Sequence, residues 1–425
     1  MHIALVTAGG AGMFCGSCMH DNTLARALIR QGDNVTLIPC YTPIRVDEQD
    51  VSRERVFLGG VNVYLDAALP GWNRLPRLFT SWLDSPRMLR LVSRFAISSS
   101  AKQLGRLTIS LLQGELGPQR REVDELVDYL GQELRPDVVC FSNALLAGVL
   151  PRLKQVYDGP VCCFLQGDDI FLDDLVEPFR RQALELVSGH ARDFDQLLVH
   201  SGYYRDHMAQ YLGLDRERFQ IVPLGIDLTG HDGLPRPAGD PFTIGYFARI
   251  CPEKGLQHLV AAFRRLHARR PGTRLLAAGY LGGRDQRFFN ELMESAKDLG
   301  PAFQYAGSPP GHPDKVAFLK SLDVLSVPTE YREPKGLYVL EALANGIPFV
   351  QPEHGAFPEL REATGGGLLV KPGDPEDLAR GLETLLLNPD QRLELAKAGR
   401  AAVHQRFNPE TMAEVTRQVL GRVVQ

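Results

Sequence analysis

Pro328-Thr-Glu330-Tyr-Arg-Glu333-Pro334-Lys335-Gly336-Leu337-Tyr-Val-Leu-Glu341-Ala-Leu-Ala-Asn-Gly346-Ile-Pro348 is the most informative stretch of this 425-residue chain. It sets one carboxylate, Glu333, in a loop after a strand and a second, Glu341, eight positions on in a helix that Gly336 opens. Two carboxylates held at one helix start can grip the hydroxyls of a sugar and a ribose, while the free N–H groups of Gly336 and Leu337 face a phosphate. A solvated helix carboxylate is the plain alternative for Glu341, and Glu333 alone would carry no signal.

Working outward, short β-branched or apolar runs alternate with amphipathic stretches in both directions, the signature of parallel α/β units rather than of a sandwich. Strands are expected at His2–Thr7, Asn34–Cys40, Val61–Asp66, Asp137–Ser142, Val161–Gln166, Leu197–His200 and Phe219–Val222. A second series follows at Phe242–Phe247, Arg274–Ala278, Ala302–Tyr305, Val324–Val327, Pro348–Gln351 and Gly367–Val370. Between the series, eight of the nineteen residues Pro223–Pro241 are Gly or Pro, a hinge composition. The α/β chain therefore reads as two Rossmann-like domains, 1–225 and 242–407, joined by a linker at 226–241. Ligands of such sheets bind outside the carboxyl ends of the strands, so the domains are expected to face each other across an interdomain cleft.

Composition narrows the function. Lys+Arg 47 against Asp+Glu 51 leaves a net charge of −4, which excludes a general nucleic-acid binder. Apolar runs fall far short of the roughly 18 residues that span a bilayer, and Met1 leads directly into a strand without a signal peptide, so a cytoplasmic protein is expected. Seven Cys, several inside strand-like runs (Cys40, Cys140, Cys162, Cys163), point to reduced buried thiols rather than a disulfide framework.

The first loop, Gly9-Gly10-Ala11-Gly12-Met13-Phe14-Cys15-Gly16, precedes a helix expected to begin near His20–Asn22. Its spacing fails as a dinucleotide fingerprint: Cys15 stands where the third glycine belongs, and Leu37-Ile38-Pro39-Cys40 ends the second strand without an acid for a ribose. A cradle at Gly12 for one phosphate or a sugar hydroxyl fits, as does a tight turn with a packing role. Cys15-Gly-Ser-Cys18 has no second Cys pair at metal spacing and reads as incidental thiols beside that loop. From Trp72 to Gln113 seven basic residues and one acid, Asp84, interleave with apolar ones. Such a segment lies on an anionic membrane, packs its apolar stripe inward and solvates its arginines, or meets an acidic or phosphorylated acceptor.

The quoted stretch resembles the Glu-x7-Glu motif of the retaining glycosyltransferases of family 4, a GT-B family, at Glu333, Gly336, Leu337, Glu341, Ala342, Ala344, Gly346 and Pro348. Gly245-Tyr-Phe-Ala-Arg249-Ile-Cys-Pro-Glu-Lys254-Gly255 resembles the family's segment whose Arg and Lys bind the donor diphosphate, and Ile221-Val-Pro-Leu-Gly225-Ile-Asp227 its interdomain strand. Lys335 departs from the family's common Phe, and Gln166-Gly167-Asp168 stands where many members have His followed by Gly.

The resemblance implies transfer of a hexosyl-type sugar, with retention and without a metal or other cofactor, from a nucleoside-diphosphate sugar to a hydroxyl acceptor. Arg249, Lys254 and Glu333 would be catalytic; Gly12, Gly307, Pro334, Lys335, Gly336, Leu337 and Glu341 would bind donor; Gln166 and Asp168 are acceptor or sugar candidates, Asp168 or Asp169 being equally a helix cap. The first domain would be the acceptor side, with the last helix, 408–425, packing back on it, and 242–407 the donor side. The acceptor would be a carbohydrate, a lipid-linked compound or a small molecule, not a nucleic acid, with the segment 72–113 a means of peripheral contact at the inner membrane face. The hinge would let the cleft close on donor, and Lys254→Ala is expected to lower turnover far more than stability. A phosphorylase or synthase acting on a small sugar or sugar phosphate, and a non-catalytic nucleotide-sugar binding protein, are the competing expectations.

Overall fold

Strand residues of the computed structural model, which describes residues 1–10, 14–68 and 101–424, are apolar on both faces, as parallel sheets covered by helices require. In β1 (His2–Ala8), residues Ile3–Val6 are at most 1% exposed. β2 (Asn34–Cys40), β3 (Val138–Phe141), β4 (Val161–Phe164), β5 (Gln196–Val199) and β6 (Phe219–Ile221) complete a six-stranded parallel sheet in the order β2-β1-β3-β4-β5-β6. A second parallel sheet is built from β7 (Phe242–Phe247), β8 (Thr273–Ala278), β9 (Phe303–Tyr305), β10 (Val324–Leu325), β11 (Phe349–Pro352) and β12 (Gly367–Val370). Its order is β12-β11-β10-β7-β8-β9.

Each sheet belongs to its own unit: Met1–Pro223 with Glu410–Gln425, and Leu224–Pro409. The final helix, Pro409–Val424, buries Met412, Ala413, Val419 and Leu420 in the core of the first unit with Ile3, Leu5 and Phe164. In the second sheet the chain steps from β7 outward through β8 to β9, then returns to the other flank of β7 as β10. That reversal is the topological switch point, and it sets the loops after β7 and β10 side by side at the carboxyl edge.

Three expectations change. Gly60–Ala68 is a helix, not a strand at Val61–Asp66. The lane beside β2 is taken by isolated bridges from Ser52 and Phe57, and the helix is tied down by Gly60 N–H to Tyr41 O at 2.8 Å and Gln119 Nε2 to Val63 O at 3.3 Å. Its Val-x-Val spacing fits either period over so few residues. The first helix starts at Gly16, about a turn early, because Cys15 can act as an extended N-cap. Residues 226–241 do not run free: Ile226 is 4% exposed, Arg400 Nε donates to Gly233 O at 2.7 Å, and Asp323 accepts from Gly239 N and Arg236 Nη1. Among the described residues no helix is long and apolar enough to cross a membrane, and none of the seven cysteines is in a disulfide. The segment 72–113 lies outside the described residues up to residue 100; its remainder includes the helix Ala101–Leu112.

The Asp323 carboxylate, 5% exposed, also accepts from Thr243 N at 2.8 Å and so joins the start of β7 to the segment before it. Asp323→Ala leaves two amides without their acceptor and is expected to destabilise the second unit by about 3 kcal/mol, against about 1 kcal/mol for the half-exposed Arg236→Ala, both read by urea denaturation.

Candidate active site

Two glycines, one after β7 and one after β11, bring loops at this edge into backbone contact with the segment after β10. Gly255 has φ +75°, and a Cβ there would lie 1.8 Å from Pro328 O; Gly355 has φ +61°, and a Cβ would meet the Glu333 backbone at 2.6 Å. Glu330 N–H donates to Glu253 O at 2.9 Å and Ala356 N–H to Glu333 O at 2.8 Å, so the turn Pro252–Lys254 and the loop holding Glu333 are pinned together. Lys254 Nζ consequently reaches Glu333 Oε2 at 2.7 Å. The same oxygen accepts from Tyr338 OH at 3.0 Å and Tyr331 OH at 3.2 Å, and Lys254 Nζ lies 5.1 Å from the centre of each phenol ring.

Electrostatics follow from that packing. Burial alone pushes the Glu333 carboxyl up, but the charge and hydrogen bond of Lys254, with Tyr338 and Lys335, more than offset it and hold the carboxyl below its ordinary range. Burial, reinforced by the Glu333 charge, pushes both tyrosines up, so they remain phenols that donate. Pro334, Lys335 and Gly336 follow, all buried, and Gly336 at φ +75° starts the helix Leu337–Ala344, which has no side-chain cap.

Glu341, on that helix, does not meet Lys254. It takes Lys315 Nζ at 2.7 Å, from the helix His312–Lys320, in a pair whose side chains are 7% and 14% exposed. Asn345 Nδ2 donates to Glu341 O at 3.0 Å and to His231 Nδ1 at 2.7 Å. Burial and then Lys315 push the His231 imidazole down to about 3, leaving it the neutral acceptor that this bond requires.

Arg249, in the loop after β7, is exposed; Nε donates to Cys251 Sγ at 3.3 Å, and among the described residues it forms no ion pair. Gly307 follows β9, and its carbonyl accepts from Gly279 N–H at 3.0 Å, on the same strand-end edge. Gln166 and Asp168 sit at the end of β4 in the first unit, 6% and 3% exposed. Gln166 Nε2 donates to Asp21 Oδ1 at 2.9 Å and to Ser142 O at 3.0 Å. Asp168 accepts from Ala144 N at 2.6 Å and Gln166 N at 2.8 Å, a loop tie rather than a cap, and burial lifts it to about 6. Gly12 lies outside the described residues. Among the described residues no group of three or more His, Cys, Asp or Glu is placed to hold a metal ion.

Sequence reasoning missed Tyr331, Tyr338, Lys315, His231 and Asn345. Tyr338 was within reach, five positions after Glu333 and in the first turn of the helix; Lys315 carries no local signal.

Removing Lys254 is expected to affect stability, because it strips a cation from a buried carboxylate. Lys254→Met is expected to cost about 3–5 kcal/mol at pH 7. In the wild type Glu333 is depressed, so its contribution is present above the ordinary carboxylate value and is lost as pH falls through the lowered one. In the variant the buried carboxyl rises and takes a proton earlier, so the deficit should shrink on acidification; urea melts from pH 7 to pH 4 test this.

Residues 22–225 match a family model described as Glycosyl transferase 4-like domain, and residues 235–402 one described as Glycosyl transferases group 1. Glycogen synthase of Mycobacterium tuberculosis is 28% identical over 288 residues, 67% of this chain and 68% of that one. A D-inositol 3-phosphate glycosyltransferase of Nocardia farcinica is 30% identical over 209 residues, 46% of each, so the match spans about half of that relative. Among solved structures, sucrose-phosphate synthase from Thermosynechococcus elongatus has a TM-score of 0.71 at 19% identity, covering 99% of this chain and 98% of that one. Anabaena HepE in complex with UDP has 0.69 at 17%, covering 99% and 100%. These last two are likenesses of fold. With one family model on each unit and a parallel sheet in each, the chain belongs to the family-4-type glycosyltransferases of GT-B fold.

Proposed function

We propose that this glycosyltransferase takes a hexosyl group from a nucleoside-diphosphate sugar and passes it, with retention and without a metal ion, to a hydroxyl acceptor. The observation that carries this is the Lys254–Glu333 contact of 2.7 Å at the switch point, beside a helix start without a side-chain cap. Glu333 would hold sugar hydroxyls and Glu341 the ribose, while Lys254, Arg249 and the amides of Gly336 and Leu337 would face the diphosphate.

Breaking the anomeric C–O bond leaves negative charge on the departing diphosphate. Cations fixed there interact more strongly with the transition state than with intact donor, which is what accelerates a reaction. Here they do the charge work that a divalent ion does elsewhere. Lys254 is already neutralised by Glu333, so donor binding redistributes an existing ion pair: Glu333 turns its acceptors to sugar hydroxyls as Lys254 turns to phosphate. The acceptor oxygen bonds to the anomeric carbon on the face that the diphosphate leaves, and the acceptor proton passes to a departing phosphate oxygen. No protein nucleophile is required.

Arg249 separates chemistry from folding, since it is exposed and, among the described residues, forms no ion pair. Arg249→Ala is expected to lower kcat/KM by about 10²–10³-fold, with a Tm close to that of the wild type; unchanged turnover would remove its role. A thermal-shift screen of UDP-, GDP- and ADP-sugars in EDTA should single out one donor, with roughly 2.7 kcal/mol of stabilisation at a hundred times its Kd. NMR of the product should show the donor's anomeric configuration. Inversion, or sugar phosphate released by inorganic phosphate, would overturn the reading.

A further inference from the structure

We propose that Lys315 is a positioning residue of the donor site: it fixes the Glu341 carboxylate so that one oxygen, Oε2, faces the donor, and the enzyme reads a single hydroxyl of the ribose. This rests on the reading of Glu341 as the ribose contact.

Lysine is almost never buried without a partner. Lys315, on the helix His312–Lys320, is 6% exposed, and its Nζ lies 2.7 Å from Glu341 Oε1. The carboxylate that it meets is not shut in. Glu341 Oε2 has no hydrogen-bond partner among the described residues and, unlike the enclosed His231 Nε2 and Asn345 Oδ1 nearby, it is open to solvent. The pair thus divides the carboxylate into an engaged oxygen and a free one.

Such a pair adds little to the fold, since desolvating the ammonium offsets most of the attraction. Its effect is on direction. The last torsion of a glutamate is broad, so a carboxylate left to itself turns and can offer both oxygens to a vicinal diol. With Oε1 held by a charge-assisted bond, Oε2 points one way. It accepts from one ribose hydroxyl, 2′ or 3′, and the other is left to solvent.

The helix frame ties that oxygen to the donor. Glu341 stands four residues after Leu337, on the same face and about 6 Å along the axis. The Leu337 amide is assigned above to the diphosphate, so the carboxylate falls where the ribose of the same nucleotide would lie. A bare carboxylate that close would repel the diphosphate; paired with Lys315 it is an acceptor without net charge. Asn345 Nδ2, which donates to Glu341 O at 3.0 Å and to His231 Nδ1 at 2.7 Å, steadies the backbone from which the side chain leaves.

Titration calorimetry on the full chain with UDP, GDP and ADP, and with the 2′-deoxy and 3′-deoxy forms of whichever binds, tests this. In the wild type one deoxy form should bind about tenfold more weakly than the parent nucleotide and the other within about twofold of it. Lys315→Gln should bring the two deoxy forms within about twofold of each other, and Lys315→Arg, which keeps the cation, should restore the difference. In a Glu341→Gln background, Lys315→Gln should weaken nucleotide binding no further, because Lys315 acts through Glu341. A role confined to stability would lower the Tm or the number of binding sites and leave the ratio of the two deoxy Kd values as in the wild type. That result overturns the proposal, as does a wild type that discriminates equally against both deoxy forms. A wild type indifferent to both, or one that binds none of the three nucleotides, instead removes the donor reading on which the proposal rests.

Discussion

Everything at the candidate site depends on the reversal of strand order beside β7. Because β10 returns to the flank opposite β8, two loops distant in sequence leave the sheet as neighbours. Gly255 then lets the backbone of one touch the backbone of the other at Pro328, where any side chain would force them apart. Gly279 does the same for the loop after β8, its missing Cβ falling 1.8 Å from Ala248 O. Arg249 and Lys254 are thus held by sheet topology and backbone contact rather than by their own side-chain preferences.

Burial of a Lys–Glu pair is a poor way to stabilise a fold, since desolvation removes most of what attraction supplies. Around Glu333 that cost is limited by two phenols that donate to the same oxygen and by ring faces that flank the ammonium. Such an arrangement keeps a carboxylate charged in a dry place, and perturbed groups of this kind gather where chemistry is done. Lys315 and Glu341 repeat the device one helix away, with His231 and Asn345 behind them.

The first unit places its polar groups differently. Asp21 accepts from Thr7 Oγ1 at 2.6 Å and from Gln166, and Asp169 accepts from Tyr204 OH at 2.6 Å and His207 Nε2 at 2.9 Å. These carboxylates lash the ends of β1 and β4 to neighbouring helices. Gln166 and Asp168, singled out for sugar contacts, spend the atoms described here on loop anchoring.

Parallel strands were legible because burial on both faces demands continuous apolar runs, and those runs stand out at VVCF and VCCF as plainly as at Ile3–Val6. The loop–helix pair Glu333 to Glu341 was legible for a similar reason: its glycine, carboxylates and amides lie within one turn and one helix. Val61–Asp66 was not, since six residues with alternating β-branches satisfy two periods and only the occupied lane beside β2 decides between them. Nor could sequence pair Lys254 with Glu333 across 79 positions, or Lys315 with Glu341 across 26. Local pattern records what a segment can bury; which distant charge ends up beside it is set by strand order and by the few glycines that let backbones touch.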